Sequence, residues 1–191
     1  MTAFADSRAV DAAMAATPRA DFLPAGQRSL AGENRPLPIG GGQTNSQPQT
    51  VRNMLIALQV SAGQRVLDVG AGSGWSTVLL ARLVGKHGSV IGVERVAELI
   101  AWGASNVAAA GLPWARLVAA DPNILGRPAD APYDRIMVSA EAKAVPAQLM
   151  RQLAADGMMV IPVAGHLLRA RPGQPAQDLG RYAFVPLVCG G

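Results

Sequence analysis

Residues 66–74, Val-Leu-Asp-Val-Gly-Ala-Gly-Ser-Gly, read as an apolar strand that runs into a loop with glycine at alternate positions. Glycine opens backbone angles closed to other residues and lets a ligand approach the chain closely. A helix starting near Gly74 presents unpaired N–H groups and the positive end of its dipole. Gly70, Ala71, Gly72, Ser73 and Gly74 therefore form a candidate cradle for a nucleotide-like cofactor. Two acids follow at strand ends. Glu94 closes Val90-Ile91-Gly92-Val93, about twenty residues past the loop, where a carboxylate can accept hydrogen bonds from both hydroxyls of a ribose. Asp121 follows the next strand, before Pro122, where an acid commonly caps a turn.

The cofactor class turns on position 75. The dinucleotide fingerprint G-x-G-x-x-G needs a third glycine there, and Trp75 occupies it, which counts against a nicotinamide oxidoreductase. The spacing G-x-G-x-G resembles the first motif of class I methyltransferases. That resemblance implies S-adenosyl-L-methionine as cofactor and S-adenosyl-L-homocysteine as product, and it puts Asp121 near the adenine amine. Methyltransferases that act on the amino groups of bases carry N/D-P-P-Y/F after the fourth strand. Val138-Ser139-Ala140-Glu141 stands there instead.

The elements that must position these residues alternate. Apolar runs at 65–69, 89–93, 115–119, 133–138 and 158–163 read as strands, and helical spacing appears at 7–16, from Pro48 through Leu58, and at 74–84, 96–110 and 146–154. This order implies an α/β fold with a doubly wound, mostly parallel sheet. The stretches 166–170 and 182–187 are expected to add an antiparallel C-terminal edge. The segment 18–47, rich in Pro, Gly, Asn and Gln, is a long connection of the kind that often carries function. Residues 121–133 read as a loop and 170–180 as the most flexible one.

A closer resemblance rests on several motifs. Leu37-Pro38-Ile39-Gly40-Gly41-Gly42-Gln43-Thr44-Asn45-Ser46-Gln47-Pro48 is similar to the L-P-I-G-x-G-Q-T-x-S-Q-P stretch of protein-L-isoaspartate (D-aspartate) O-methyltransferases. Pro18-Arg19-Ala20-Asp21-Phe22 resembles that family's P-R-x-x-F. Val93-Glu94-Arg95 resembles its V-E-R, 131–136 its A-P-Y-D-x-I, and 160–163 and 184–187 its late motifs. The resemblance spans roughly residues 15 to 188. It implies a class I methyltransferase (Rossmann-like) fold in one domain over 1–191, with 1–47 an N-terminal helix plus substrate loop. It also implies methylation of isoaspartyl and D-aspartyl carboxylates in damaged proteins or peptides, which initiates their repair. Ser46 falls on the family's active-site serine, with Gln43, Thr44 and Ser139 as substrate-binding residues. The plainer role for Ser46 is a helix cap before Pro48. The sequence departs from the family at Ala120-Asp121-Pro122, where Gly-Asp-Gly is usual, and at Glu141 and Lys143, which add charge beside the acceptor site. A carboxyl methyltransferase with a different, dedicated acceptor is the alternative.

Composition narrows the partners. Half the residues are apolar and 16% are charged, which supports a packed core and argues against disorder. The net charge of +4 comes from scattered Lys and Arg with no basic stripe, so nucleic acid is not an expected partner. One cysteine, Cys189, and two histidines, His87 and His166, offer no metal-ligand spacing, so no metal is expected. Neither a leader-like N-terminus nor a membrane-length apolar run is evident, and the expected location is cytoplasmic.

Overall fold

The structure, a computed structural model, describes residues 7–187. Along the chain, α1 (Ser7–Ala15) precedes two short 3-10 turns and a hairpin of β1 (Leu37–Gly40) and β2 (Gln43–Asn45). Then come α2 (Pro48–Leu58), β3 (Arg65–Val69), α3 (Trp75–Val84), β4 (Ser89–Glu94), α4 (Ala97–Ala109) and β5 (Ala115–Ala119). The chain ends through β6 (Tyr133–Val138), α5 (Ala147–Met150), β7 (Leu153–Val163), β8 (His166–Ala170) and β9 (Gln177–Arg181).

The main sheet has the order β5-β4-β3-β6-β7-β8-β9. Strands β3 to β7 run parallel, and β8 and β9 turn back antiparallel. β3 thus lies between β4 and β6, and the order reverses at that point. In such sheets the crevice beyond the carboxyl ends of the two strands at the reversal is where ligands settle. The central strands are continuous apolar runs because both faces are covered. Their residues alternate with period two: Val66, Val90 and Met137 face a core built with α1, α2 and α3, while Leu67, Ile91 and Ile136 face the other side. That second side is covered by the short α5, the 118–131 segment and Leu187.

The parallel sheet and its antiparallel edge agree with the sequence. Three expectations need correction. The helix expected over 146–154 is a single turn, because Leu153 already pairs with Tyr133 and begins an eleven-residue β7. The edge expected at 182–187 is β9 at Gln177–Arg181, which begins inside the 170–180 stretch read as flexible; Asp178 and Gln177 pair with Leu168 and Arg169. The stretch 18–47 is not an open connection. Its hairpin and 3-10 turns pack Leu23, Leu37 and Ile39 against Leu99 of α4. The extent 1–191 and Cys189 reach beyond the described residues.

Candidate active site

The loop after β3 is drawn under the sheet edge by its own backbone. The N–H groups of Gly70 (3.0 Å) and Ala71 (3.2 Å) donate to Val93 O, and Ser139 N donates to Val69 O at 2.9 Å. Gly70 and Gly72 hold φ of 78° and 55°, in the region where a side chain is strained. The loop is closely packed from outside. A Cβ on Gly103 of α4 would lie 2.6 Å from Gly72 O, and one on Gly74 would lie 2.8 Å from Val107 Cγ2. Asn106 Nδ2 donates to Ser73 O at 2.9 Å. Beneath the loop, Asp68 is fully buried. Its Oδ2 accepts from the hydroxyls of Ser76 and Thr77, both at 2.7 Å, which anchors the first turn of α3. Burial raises its pKa to about 6; the two hydroxyl bonds oppose that rise and the charge of Glu94 adds to it.

These elements border an open cleft beyond the carboxyl ends of β3, β4 and β6, where ligands settle in such sheets. Its wall includes Gly70, Gly72, Glu94, Val96, Asp121, Ile124 and Leu125. Glu94 is buried. Its Oε1 accepts from Arg95 N (2.8 Å) and Val96 N (2.9 Å), and its Oε2 accepts from Gly72 N (2.8 Å). A carboxylate offers about four lone-pair sites, so one, on Oε2, is left for a ligand hydroxyl; the protein's own N–H groups take the rest. Asp121 is exposed at the rim, and its Oδ1 accepts from Asn123 N at 2.8 Å, which makes it a turn cap whatever else it does. Ile124 is the large apolar side chain left exposed, at 44%, among the described residues, and it faces this cleft. The residues present fit a nucleoside-bearing cofactor: a glycine cradle at one end, an acid with one vacant acceptor site, and an apolar wall awaiting a flat partner.

Across the crevice lies a second cavity of about 510 Å³, lined by Thr44, Ser46, Gln47, Ser139, Arg181, Tyr182 and Phe184 among others. Its near wall is the segment 37–48. Gly40, Gly41 and Gly42 all have positive φ, and a Cβ on Gly41 would lie 2.6 Å from Val96 Cγ1, so the hairpin tip can close over the start of α4. Arg19 holds the hairpin in place. It is buried, and all five of its N–H donors are used. Nε donates to Asn45 Oδ1 (2.8 Å), and the terminal nitrogens donate to Ala31 O, Glu33 O, Arg35 O and Asn45 O. Burial, with Arg35 nearby, lowers its pKa to about 10, still well above neutrality. Asn45 in turn donates to Ser73 Oγ at 3.3 Å, linking this wall to the glycine loop. The far wall is the tail after β9, pinned where Glu141 N donates to Val185 O and Leu187 N to Glu141 O, both at 2.7 Å.

The structure sorts the residues singled out from the sequence. Thr44 and Ser46 line the second cavity, and Gln43 lines the first. Ser139 lines both. Ala71 and Ser73 border a smaller pocket between them, with Ser46 and Ser139. Gly74 borders none of these pockets; its missing side chain serves the contact with α4. Ser46 is not the helix cap, which falls to Gln47 without a side-chain bond. Sequence reasoning missed the Arg19–Asn45 clamp, Ile124 and Leu125 in the first cleft, and the place of the 182–187 tail in the wall of the second cavity. The signal for Arg19 was present in Pro18-Arg19, but nothing local says that a lone arginine will be buried. Among the described residues, no group of three or more His, Cys, Asp or Glu could hold a metal ion, and no helix is long and apolar enough to cross a membrane.

Comparison with known proteins gives the following. The model of the family described as protein-L-isoaspartate(D-aspartate) O-methyltransferase matches residues 2–188. A Pelobacter propionicus protein named protein-L-isoaspartate O-methyltransferase 2 is 43% identical over 189 residues, covering 94% of this chain and 82% of its own. One from Ignicoccus hospitalis, named protein-L-isoaspartate O-methyltransferase, is 39% identical over 184 residues, covering 92% and 87%. Among solved structures, a protein-L-isoaspartate O-methyltransferase superposes with a TM-score of 0.82 at 24% identity, over 94% of this chain and 61% of that one. A Plasmodium falciparum protein assigned by its name to the same enzymes, in complex with S-adenosyl-L-homocysteine, gives 0.80 at 23% identity, over 96% and 92%. The structural matches establish the fold, and the sequence matches the kinship.

Proposed function

The chain belongs to the protein-L-isoaspartate(D-aspartate) O-methyltransferase family, and from that premise we propose that it transfers the methyl group of S-adenosyl-L-methionine to the carboxylate of L-isoaspartyl and D-aspartyl residues in damaged proteins and peptides, initiating their repair. The observation that carries this reading is Ser139. It lines the cofactor cleft and the second cavity together, so a donor in one and an acceptor in the other can meet at the ends of β3 and β6.

The chemistry suits the residues present. An acceptor carboxylate has an ordinary pKa of about 4, so it arrives ionised and needs no general base. When bound, S-adenosyl-L-methionine supplies an electrophilic methyl on a sulfonium sulfur. A carboxylate oxygen forms the new bond to that carbon as the carbon–sulfur bond breaks, leaving a neutral ester and S-adenosyl-L-homocysteine. The protein's work is alignment and exclusion of water, which can contribute up to about 7–11 kcal/mol in the best cases. Gly70 and Gly72 let the backbone lie against the cofactor, with Ala71 and Ser73 behind them and Gly74 keeping α4 close. Glu94 accepts from a ribose hydroxyl, Asp121 from the adenine amine through its free oxygen, and Ile124 and Leu125 cover the ring. Ser46 and Thr44 donate to the acceptor carboxylate, Ser139 stands at the junction, and Gln43 closes the hairpin tip over the cofactor side. The domain is taken to span 1–191, with 1–47 forming the acceptor wall. Metal and nucleic acid have no part in this reading. The proposed compartment is the cytoplasm, which the single cysteine supports.

The test uses methyl-labelled S-adenosyl-L-methionine and three matched peptides carrying isoaspartyl, aspartyl or asparaginyl at one position. Label on the isoaspartyl peptide alone is the expected result. Equal label on all three, or none on any, overturns the acceptor assignment.

A further inference from the structure

We propose that Arg181 is a specificity-determining cation of the acceptor cavity, drawing the anionic acceptor in and losing its hold once that group has become a neutral ester. The inference rests on the methyl-transfer reading above.

The cavity wall is otherwise made of hydroxyl, amide, apolar and aromatic groups. Thr44, Ser46, Gln47, Ser139, Tyr182 and Phe184 border it, and Arg181 is the charged residue among those that line it. A cavity without a positive group is a poor place for a carboxylate, which gives up strong hydration on entry. Arg181 ends β9, is exposed, and makes no ion pair with any described residue. The nearest acid on its own strand, Asp178, is already engaged by His166 Nδ1 at 2.8 Å. The base of the arginine is fixed while its head stays in water: Tyr182 N donates to Gly165 O at 2.9 Å, and Tyr182 Oη accepts from Asn53 Nδ2 at 2.8 Å.

An exposed position suits this task better than a buried one. A guanidinium bonded directly to the attacking oxygen would withdraw charge from the nucleophile and slow its attack on the methyl carbon. A solvated cation at the cavity wall attracts the anion through space, where solvent keeps the interaction modest. It therefore acts on capture and leaves the transfer step alone. Methylation then abolishes the charge on the acceptor, so the same residue that favours the substrate gives the ester no advantage. Discrimination between substrate and product is built into the sign of one side chain.

The test is steady-state kinetics on the isoaspartyl peptide with wild-type protein and with Arg181→Gln, Arg181→Lys and Arg181→Glu. At low ionic strength, Arg181→Gln is expected to raise the peptide KM roughly three- to fivefold with kcat within about twofold. Arg181→Lys should restore KM, and Arg181→Glu should raise it further. The difference between wild type and Arg181→Gln should shrink in high salt, since an exposed charge is screened. The methyl-ester peptide should inhibit wild type and Arg181→Gln equally. An unchanged KM in Arg181→Gln, a loss confined to kcat, or a KM increase that high salt does not reduce would each overturn the role of Arg181. A wild-type protein that leaves the isoaspartyl peptide unlabelled overturns the acceptor assignment and this inference with it; labelled peptide with equal KM values overturns the inference alone.

Discussion

Between β3 and α3 the chain is held mainly by its backbone. Strand register, N–H groups on Val93 O, and glycines where any Cβ would strike Gly72 O or Val107 set the position of the glycine loop. Across the crevice, the wall at 37–48 adds to its hairpin pairing and the packing of Leu37 and Ile39 on Leu99 a clamp made by one side chain, with Arg19 placing five donors on carbonyls and an amide from four separate residues. The difference teaches how the two halves tolerate change. Backbone-held geometry fails by steric intrusion at a few glycines and is indifferent to most other substitutions. Geometry clamped by a buried guanidinium concentrates its vulnerability at a single point.

Arg19→Met should therefore have the largest effect. The variant keeps the bulk of the arginine stem but orphans the carbonyls of Ala31, Glu33 and Arg35 and both oxygen atoms of Asn45. Unpaired buried acceptors cost about 1–3 kcal/mol each when water cannot reach them, and partial rehydration at the 31–35 turn brings the expected loss of stability to about 3 kcal/mol. Denaturant unfolding measures it. The comparison between the halves sharpens if S-adenosyl-L-homocysteine still binds within about threefold by titration calorimetry while peptide turnover is lost. An equal loss of cofactor binding would show that the Asn45–Ser73 link makes one unit of the two walls.

The contrast also explains how much was legible in the sequence. The cofactor half follows local rules: a run of Val and Leu, glycines at fixed spacing and an acid at the next strand's end predict a strand, a tight loop and a carboxylate at the switch point. The acceptor half depends on contacts across long sequence separations. Arg19 meets Asn45 twenty-six positions away, and Tyr182 meets Asn53 across 129. No periodicity encodes such pairs. The same reason hides β9. Gln177-Asp178-Leu179-Gly180-Arg181 is polar and carries a glycine, and it is a strand because β8 offers it an edge, against its own propensity. Glu94 was legible as an acid at the strand end that borders the cleft, yet its three backbone partners were not, because two of them lie in the turn that the carboxylate itself organises.

Gly103→Ala tests the cofactor half by intrusion. The new methyl would lie 2.6 Å from Gly72 O and 2.8 Å from Leu117 Cδ1, and a backbone oxygen cannot swing aside as a side chain can. α4 must move off the loop or the loop must move into the cleft. Overpacking of this kind costs about 1–3 kcal/mol, and cofactor affinity should fall on the order of tenfold as Gly72 is displaced, an effect of about 1.4 kcal/mol. Unaltered affinity for S-adenosyl-L-homocysteine, together with unaltered stability, would mean that the loop does not depend on α4 for its position.

The smallest expected effect is at Ser46, and it separates the two roles its position suggests. A serine that caps a helix contributes about 1 kcal/mol to stability. Here Gln47 takes the cap position of α2, and the Ser46 hydroxyl has no hydrogen-bond partner among the described residues, although it borders the second cavity. Ser46→Ala should leave the unfolding free energy within about 0.5 kcal/mol and cofactor affinity within about twofold, while kcat on the isoaspartyl peptide falls on the order of tenfold, the size of one lost hydrogen bond to a charged group. A drop in stability near 1 kcal/mol with turnover intact would return Ser46 to the helix and leave Thr44 and Ser139 to orient the acceptor. A drop in turnover alone identifies the half-buried hydroxyl as part of the wall that Arg19 holds in place.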